Sequence, residues 1–140
     1  MSYTRLIIIF LLVMIITPIV ATGCSTGTAR VINESIDTQS AYKLIQANSD
    51  NPDFVIIDIR TEPEFNSGHI ADAVMIDYYL PDFQQKLGTL DHSKKYLIYC
   101  RTANRTSTAL KIMKSLGFRE TYELAGGITK WKAAGLPTVN

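Results

Sequence analysis

Tyr96-Leu-Ile-Tyr-Cys100-Arg-Thr-Ala-Asn-Arg105-Thr-Ser-Thr-Ala-Leu110-Lys-Ile-Met-Lys-Ser-Leu116 is the stretch that decides how this chain folds. Four apolar or aromatic residues run straight into Cys100, the pattern of a strand buried on both faces that carries the cysteine at its carboxyl end. Beyond Arg105, Ala109, Leu110, Met113 and Leu116 recur at helical spacing, and Gly117 is placed to stop the helix. Between strand and helix the residues from Arg101 to Arg105 must turn around the sulfur. Amide N–H groups of such a loop and the positive end of the helix converge where a negative charge would sit, and Arg101 and Arg105 add two cations. The pattern predicts a site for a thiolate and an anion.

Outward from this stretch, other segments fit one layered plan. Asp37 or Thr38 can cap a helix carrying Tyr42, Leu44 and Ile45, which Asn48 to Pro52 ends with turn formers. Phe54-Val-Ile-Ile-Asp58 reads as a short buried strand, Arg60 to Gly68 as a loop or short helix, and Val74-Met-Ile76 as another strand. Leu80, Phe83 and Leu87 share a helical face closed by Gly88, Thr121 to Leu124 is a last strand, and Ala125-Gly-Gly127 leads into a helix with Ile128 and Trp131. Short apolar strands alternating with helices predict an α/β domain with a mainly parallel central sheet and helices on both faces. Sites in such sheets lie beyond the carboxyl ends of the strands. Cys100, Asp58 and Arg60 all stand at such ends. His92, between Asp91 and Ser93, reads as exposed loop, and Trp131 as core.

Cys-Arg-Thr-Ala-Asn-Arg at 100–105 resembles the active-site loop of the rhodanese sulfurtransferases, usually written Cys-Arg-x-Gly-x-Arg. The resemblance extends to Val55-Ile-Ile-Asp-Ile-Arg60, Glu64-Phe-Asn-Ser-Gly-His-Ile-Ala-Asp-Ala73, Leu124-Ala-Gly-Gly-Ile128, Trp131 and Gly135-Leu-Pro137, in the family's order and spacing. It implies a single rhodanese-like domain over 37–140. It also implies that Cys100 is the nucleophile, with Arg101, Thr102, Ala103, Asn104 and Arg105 holding the substrate. Asp58, Arg60, Glu64 and His69 are then scaffold around the site: Arg60 pairs with a carboxylate such as Glu64, and His69 pins a turn through its imidazole. Arg105 opposes the helix dipole, which favours either ligand binding or an ion pair with Glu64 or Asp58. Ala103 departs from the family's glycine; if that position has positive φ, alanine costs about 1–2 kcal/mol there.

The implied activity moves sulfane sulfur from thiosulfate or a persulfide donor to a thiol or cyanide acceptor through a Cys100 persulfide, without metal or cofactor. One rival is a phosphatase, since related loops of Cys-x5-Arg cradle phosphate; here only four residues separate Cys100 from Arg105, and no general acid stands nearby. Another is a persulfide carrier, or a module that recruits a protein donor or acceptor without turning over.

Composition narrows the partners. With 14 Lys plus Arg against 13 Asp plus Glu, a net charge of +1 gives no reason to expect nucleic acid. Neither histidine belongs to a metal-ligand spacing, and the two cysteines form no Cys-x-x-Cys couple. Leu6 to Ile16 is unbroken and apolar behind Arg5, and Thr17-Pro18 interrupts it. If Leu6 to Val20 were all helix it would reach about 22 Å, short of a hydrocarbon core of roughly 30 Å. Residues 1–23 therefore read as a secretory signal. Ala21-Thr-Gly-Cys24 looks like a bacterial lipobox, which implies lipid on Cys24, with 24–36 as lipidated cysteine and linker. A retained signal anchor is the alternative. Either places the domain outside the cytoplasm, tethered to a membrane, with a flexible six-residue stretch of about 13 Å holding it near the surface. A Cys24–Cys100 disulfide would be incompatible with that lipid.

Overall fold

A computed structural model describes residues 31–140. The expected signal over residues 1–23 and the expected lipidation site Cys24 lie outside the described residues.

Five strands form one sheet: β1 (Ile32–Ile36), β2 (Phe54–Asp58), β3 (Val74–Met75), β4 (Lys95–Tyr99) and β5 (Glu120–Leu124). Their order is β1-β5-β4-β2-β3 and every pairing is parallel. The helices are α1 (Thr38–Ala47), α2 (Glu62–Asn66), α3 (Phe83–Gly88), α4 (Asn104–Ser115) and α5 (Gly127–Ala133). The expected layered α/β domain is thus present.

The continuous apolar runs are explained by the pleat, which sends successive side chains to opposite faces. Ile57, Ile59, Tyr96, Ile98 and Cys100 point one way, into a core shared with Phe83, Leu87, Ala109, Met113 and Phe118. Ile56, Leu97, Tyr99 and Leu124 point the other way, against Ala41, Ile128 and Trp131. Each face therefore buries its own cluster, and Cys100 belongs to the α3–α4 side.

Sequence reading missed one strand and misjudged a few edges. Sequence predicts a lipidated cysteine and linker over 24–36, but Ile32–Ile36 pairs along its whole length with β5, from Ile32 beside Glu120 to Ile36 beside Leu124. Its sequence INESI has no sustained apolar run, because it is an edge strand with two exposed positions. Leu80 lies before α3 rather than in it and is 43% exposed. His92 is not an exposed loop residue: its ring lies 4.3 Å from that of Phe118, and its Nε2 is buried with no hydrogen-bond partner among the described residues. Phe118 draws it in, since packing the two tilted rings together hides apolar area from both.

The first helix is capped by Asp37, whose carboxylate accepts a 2.8 Å hydrogen bond from Ser40 N–H, and that bond holds the Asp37 carboxyl below its ordinary range. Trp131 is 1% exposed and donates its indole N–H to the Pro137 carbonyl at 2.9 Å.

Candidate active site

Strand β4 delivers Cys100 to the carboxyl rim, and α4 begins four residues later at Asn104. The turn between them is made by Ala103, which sits in the left-handed region at φ 76° and ψ −6°. The hydroxyls of Thr106 (2.9 Å) and Ser107 (3.0 Å) lie within hydrogen-bond reach of its carbonyl, so the strained residue is backed from the helix side. From the other side, α5 grips the loop's first two residues. Ile128 N–H donates to the Cys100 carbonyl at 2.9 Å and Thr129 N–H to the Arg101 carbonyl at 3.1 Å. The approach requires Gly127: a Cβ there would fall 2.4 Å from the Cys100 carbonyl oxygen.

Cys100 is 1% exposed. The sulfur is buried with the α3–α4 core cluster rather than out on the rim, with Thr106 Oγ1 3.9 Å away. Above the loop is a cavity of about 310 Å³ lined by Glu64, Tyr79, Arg101, Thr102, Asn104 and Arg105. Four of the five residues assigned to substrate binding therefore surround one space, while Ala103 shapes the backbone beneath it.

The two arginines differ. Arg105 forms a fork with Glu64, Nη1 to Oε2 and Nη2 to Oε1, each at 2.8 Å. Glu64 also accepts from the Thr61 N–H (3.1 Å) and hydroxyl (3.0 Å) at the start of α2. The hydrogen bonds from Arg105 hold the Glu64 carboxyl down at about 2, and those to Glu64 push Arg105 above its ordinary value. The Tyr79 ring covers the Arg105 guanidinium at 5.4 Å. Arg101 is exposed and forms no ion pair among the described residues.

The expected partner of Arg60 is corrected. Arg60 is 3% exposed and binds Asp58, not Glu64: its Nη2 is 2.6 Å from Asp58 Oδ2 and its Nε 3.0 Å from Oδ1. The two residues share the end of β2, so their side chains meet without crossing the site, whereas Glu64 is already taken by Arg105. The second function of Arg60 is to hold a neighbouring turn, through a 3.0 Å bond from Nη2 to the Gly68 carbonyl. His69 follows that turn. Its Nδ1 is 3.2 Å from the Phe65 carbonyl and its ring stacks on Phe65 at 3.7 Å. Ile70 N–H then donates to the Tyr99 hydroxyl at 3.1 Å, tying the turn to β4.

Sequence reasoning missed three site residues. Tyr79 is 67% exposed at the cavity wall, fixed by an Asx turn in which its N–H donates to Asp77 at 2.9 Å. Thr106, fully buried, donates to the Glu123 carboxylate at 2.6 Å, and Ser107 adds a 3.2 Å bond. An aromatic after an Asp-based turn was the available signal for Tyr79. Nothing local marks Glu123, which reaches the loop only because β5 lies beside β4.

The family described as Rhodanese-like domain matches residues 40–134. A sulfurtransferase of Allochromatium vinosum is 32% identical over 109 residues, covering 78% of this chain and 96% of that protein. An uncharacterized protein of Synechocystis is 35% identical over 101 residues, covering 71% of this chain; the match spans about half of that relative's length, 54%. Among solved structures, a rhodanese-related protein from Thermoplasma volcanium aligns with a TM-score of 0.65 and 28% identity, over 76% of this chain and 97% of that one.

Proposed function

The chain belongs to the rhodanese-like domain family, and from that membership we propose that it is a sulfurtransferase working through a persulfide on Cys100. The observation that supports this reading is where Cys100 stands: at the carboxyl end of a central strand, at the head of a loop whose Arg101, Thr102 and Asn104 line a cavity. In the first half-reaction Cys100 Sγ bonds to the outer sulfur of thiosulfate or a persulfide. The donor's S–S bond breaks, and sulfite or a thiolate leaves with the electron pair. Arg101 and the amino end of α4 stabilise that leaving anion. In the second half-reaction a thiol or cyanide takes the outer sulfur and Cys100 is regenerated.

Intact-mass measurement after treatment with sulfane-sulfur donors tests this directly. The protein is expected to gain one sulfur atom and Cys100→Ser none; an unmodified wild type sinks the reading. Steady-state transfer to cyanide then separates an enzyme from a carrier, which would form the persulfide but turn over negligibly. Hydrolysis of a chromogenic phosphate ester above background would favour the phosphatase instead.

The leader's composition supports a further part of the same reading: that residues 1–23 export the chain and lipid on Cys24 tethers it at the outer face of a membrane. Metabolic labelling with a radioactive fatty acid should mark the wild type and spare Cys24→Ala. Label retained in the variant would refute lipidation at that residue.

A further inference from the structure

We propose that the sulfur donor is an organic persulfide, a single-charged R–S–S⁻, in preference to dianionic thiosulfate; this rests on the sulfurtransferase reading above. Three independent features of the cavity point the same way.

The first is charge. The loop carries two arginines, but only one is available. Glu64 engages both terminal nitrogens of Arg105 at 2.8 Å, and the carboxyl stays ionised down to about pH 2, so the pair is neutral in sum throughout the physiological range. The cavity wall thus carries Glu64, Arg105 and Arg101, a net of one positive charge, to which α4 adds the partial charge of its amino end. One free guanidinium matches a monoanion. A dianion would be left with one of its two charges unmatched by a free guanidinium.

The second is volume. A five-atom sulfur oxyanion displaces roughly three waters, about 90 Å³ of liquid at about 30 Å³ each. The cavity is about 310 Å³. Besides its charged residues the cavity is lined by Tyr79, Asn104 and Thr102, residue types that can pack against and hydrogen-bond an organic substituent. Tyr79 is 67% exposed, an aromatic platform that a small inorganic anion would leave bare.

The third is access. Cys100 is 1% exposed, so the transferred sulfur must enter ahead of the rest of the donor. In an organic persulfide the outer sulfur is followed by a divalent sulfur and a methylene, a slender lead. In thiosulfate it is followed at once by a tetrahedral sulfonate head.

The transfer balances without any redox partner. Cys100 Sγ forms a bond to the outer sulfur, and the donor's S–S bond breaks with its electron pair passing to the inner sulfur. The proton initially on Cys100 ends on that leaving sulfur, giving R–SH and a Cys100 persulfide anion.

The test measures second-order rates of sulfur addition at Cys100 in the full chain, by site-resolved mass spectrometry, with cysteine persulfide and with thiosulfate. Cysteine persulfide should react at least about tenfold faster, the effect of one unmatched charge-assisted contact. Glu64→Gln frees Arg105 and should narrow that ratio by speeding thiosulfate. Tyr79→Ala, an exposed position that does not threaten folding, should slow cysteine persulfide several-fold more than thiosulfate. Equal or faster reaction with thiosulfate would overturn the donor assignment while leaving the sulfurtransferase reading standing. So would a donor ratio unchanged in folded Glu64→Gln or in Tyr79→Ala. Failure of both donors to modify Cys100 would overturn the two together.

Discussion

Ala103 shows how much one residue can say about a loop. Its φ of 76° costs an L-residue about 1–2 kcal/mol, which glycine would not incur. Ala103→Gly is therefore expected to stabilise the protein by about 1 kcal/mol, visible as a higher urea midpoint at unchanged m-value. A lower midpoint would mean that the extra backbone freedom glycine gives the unfolded chain outweighs the strain it relieves. The sequence announced this position, because alanine stood where the family loop has glycine. It did not announce that Arg60 would turn back onto Asp58, two residues away, since the choice between Asp58 and Glu64 depends on where α2 starts and which arginine reaches Glu64 first. Side-chain partners across a fold are not encoded in spacing along it.

At the scale of elements, α2 and α4 are joined by one fork. Glu64 is displaced from an ordinary value near 4.5 to about 2, chiefly by its hydrogen bonds from Arg105. A carboxyl depressed by folding stabilises the native state above its unfolded pKa, and that contribution disappears as pH falls from about 4.5 through about 2. Partial exposure, 12% for Arg105 and 27% for Glu64, discounts the gain to about 2 kcal/mol at neutral pH. Glu64→Gln should lose that amount at pH 7 and become indistinguishable from the wild type near pH 2, by denaturant titration across the range. A difference that persists at low pH would assign the effect to packing. The junction of α5 with the loop is sharper still: Gly127→Ala places a methyl 2.4 Å from the Cys100 carbonyl oxygen and is expected to reduce sulfur addition at Cys100 at least tenfold, even where circular dichroism shows a native fold. Undiminished addition would show that the loop's backbone can shift without moving the sulfur. The Gly-Gly pair was legible as a turn. Its grip on the Cys100 carbonyl was not, since that contact joins the end of β4 to a helix more than twenty residues downstream.

For the whole molecule, the buried strands were readable because both their faces are covered, and such strands are apolar throughout. The edge strand β1 was not, because exposure had removed its signature. Its importance follows from the topology: among the described residues, β1 alone pairs with the outer side of β5. A truncation beginning at Asp37, the boundary that sequence suggests, should lose about 3–5 kcal/mol from the broken ladder and expose an unpaired edge prone to association. Light scattering and thermal melts of chains beginning at Val31 and Asp37 would decide this, and equal behaviour would demote β1 to decoration. The same topology also orients the protein. Since all five strands run one way, the polypeptide enters β1 at the end of the sheet farthest from Cys100, about 17 Å away along a five-residue strand. Anything joined to the chain ahead of residue 31 therefore meets the domain at the base of the sheet, at the end opposite Cys100.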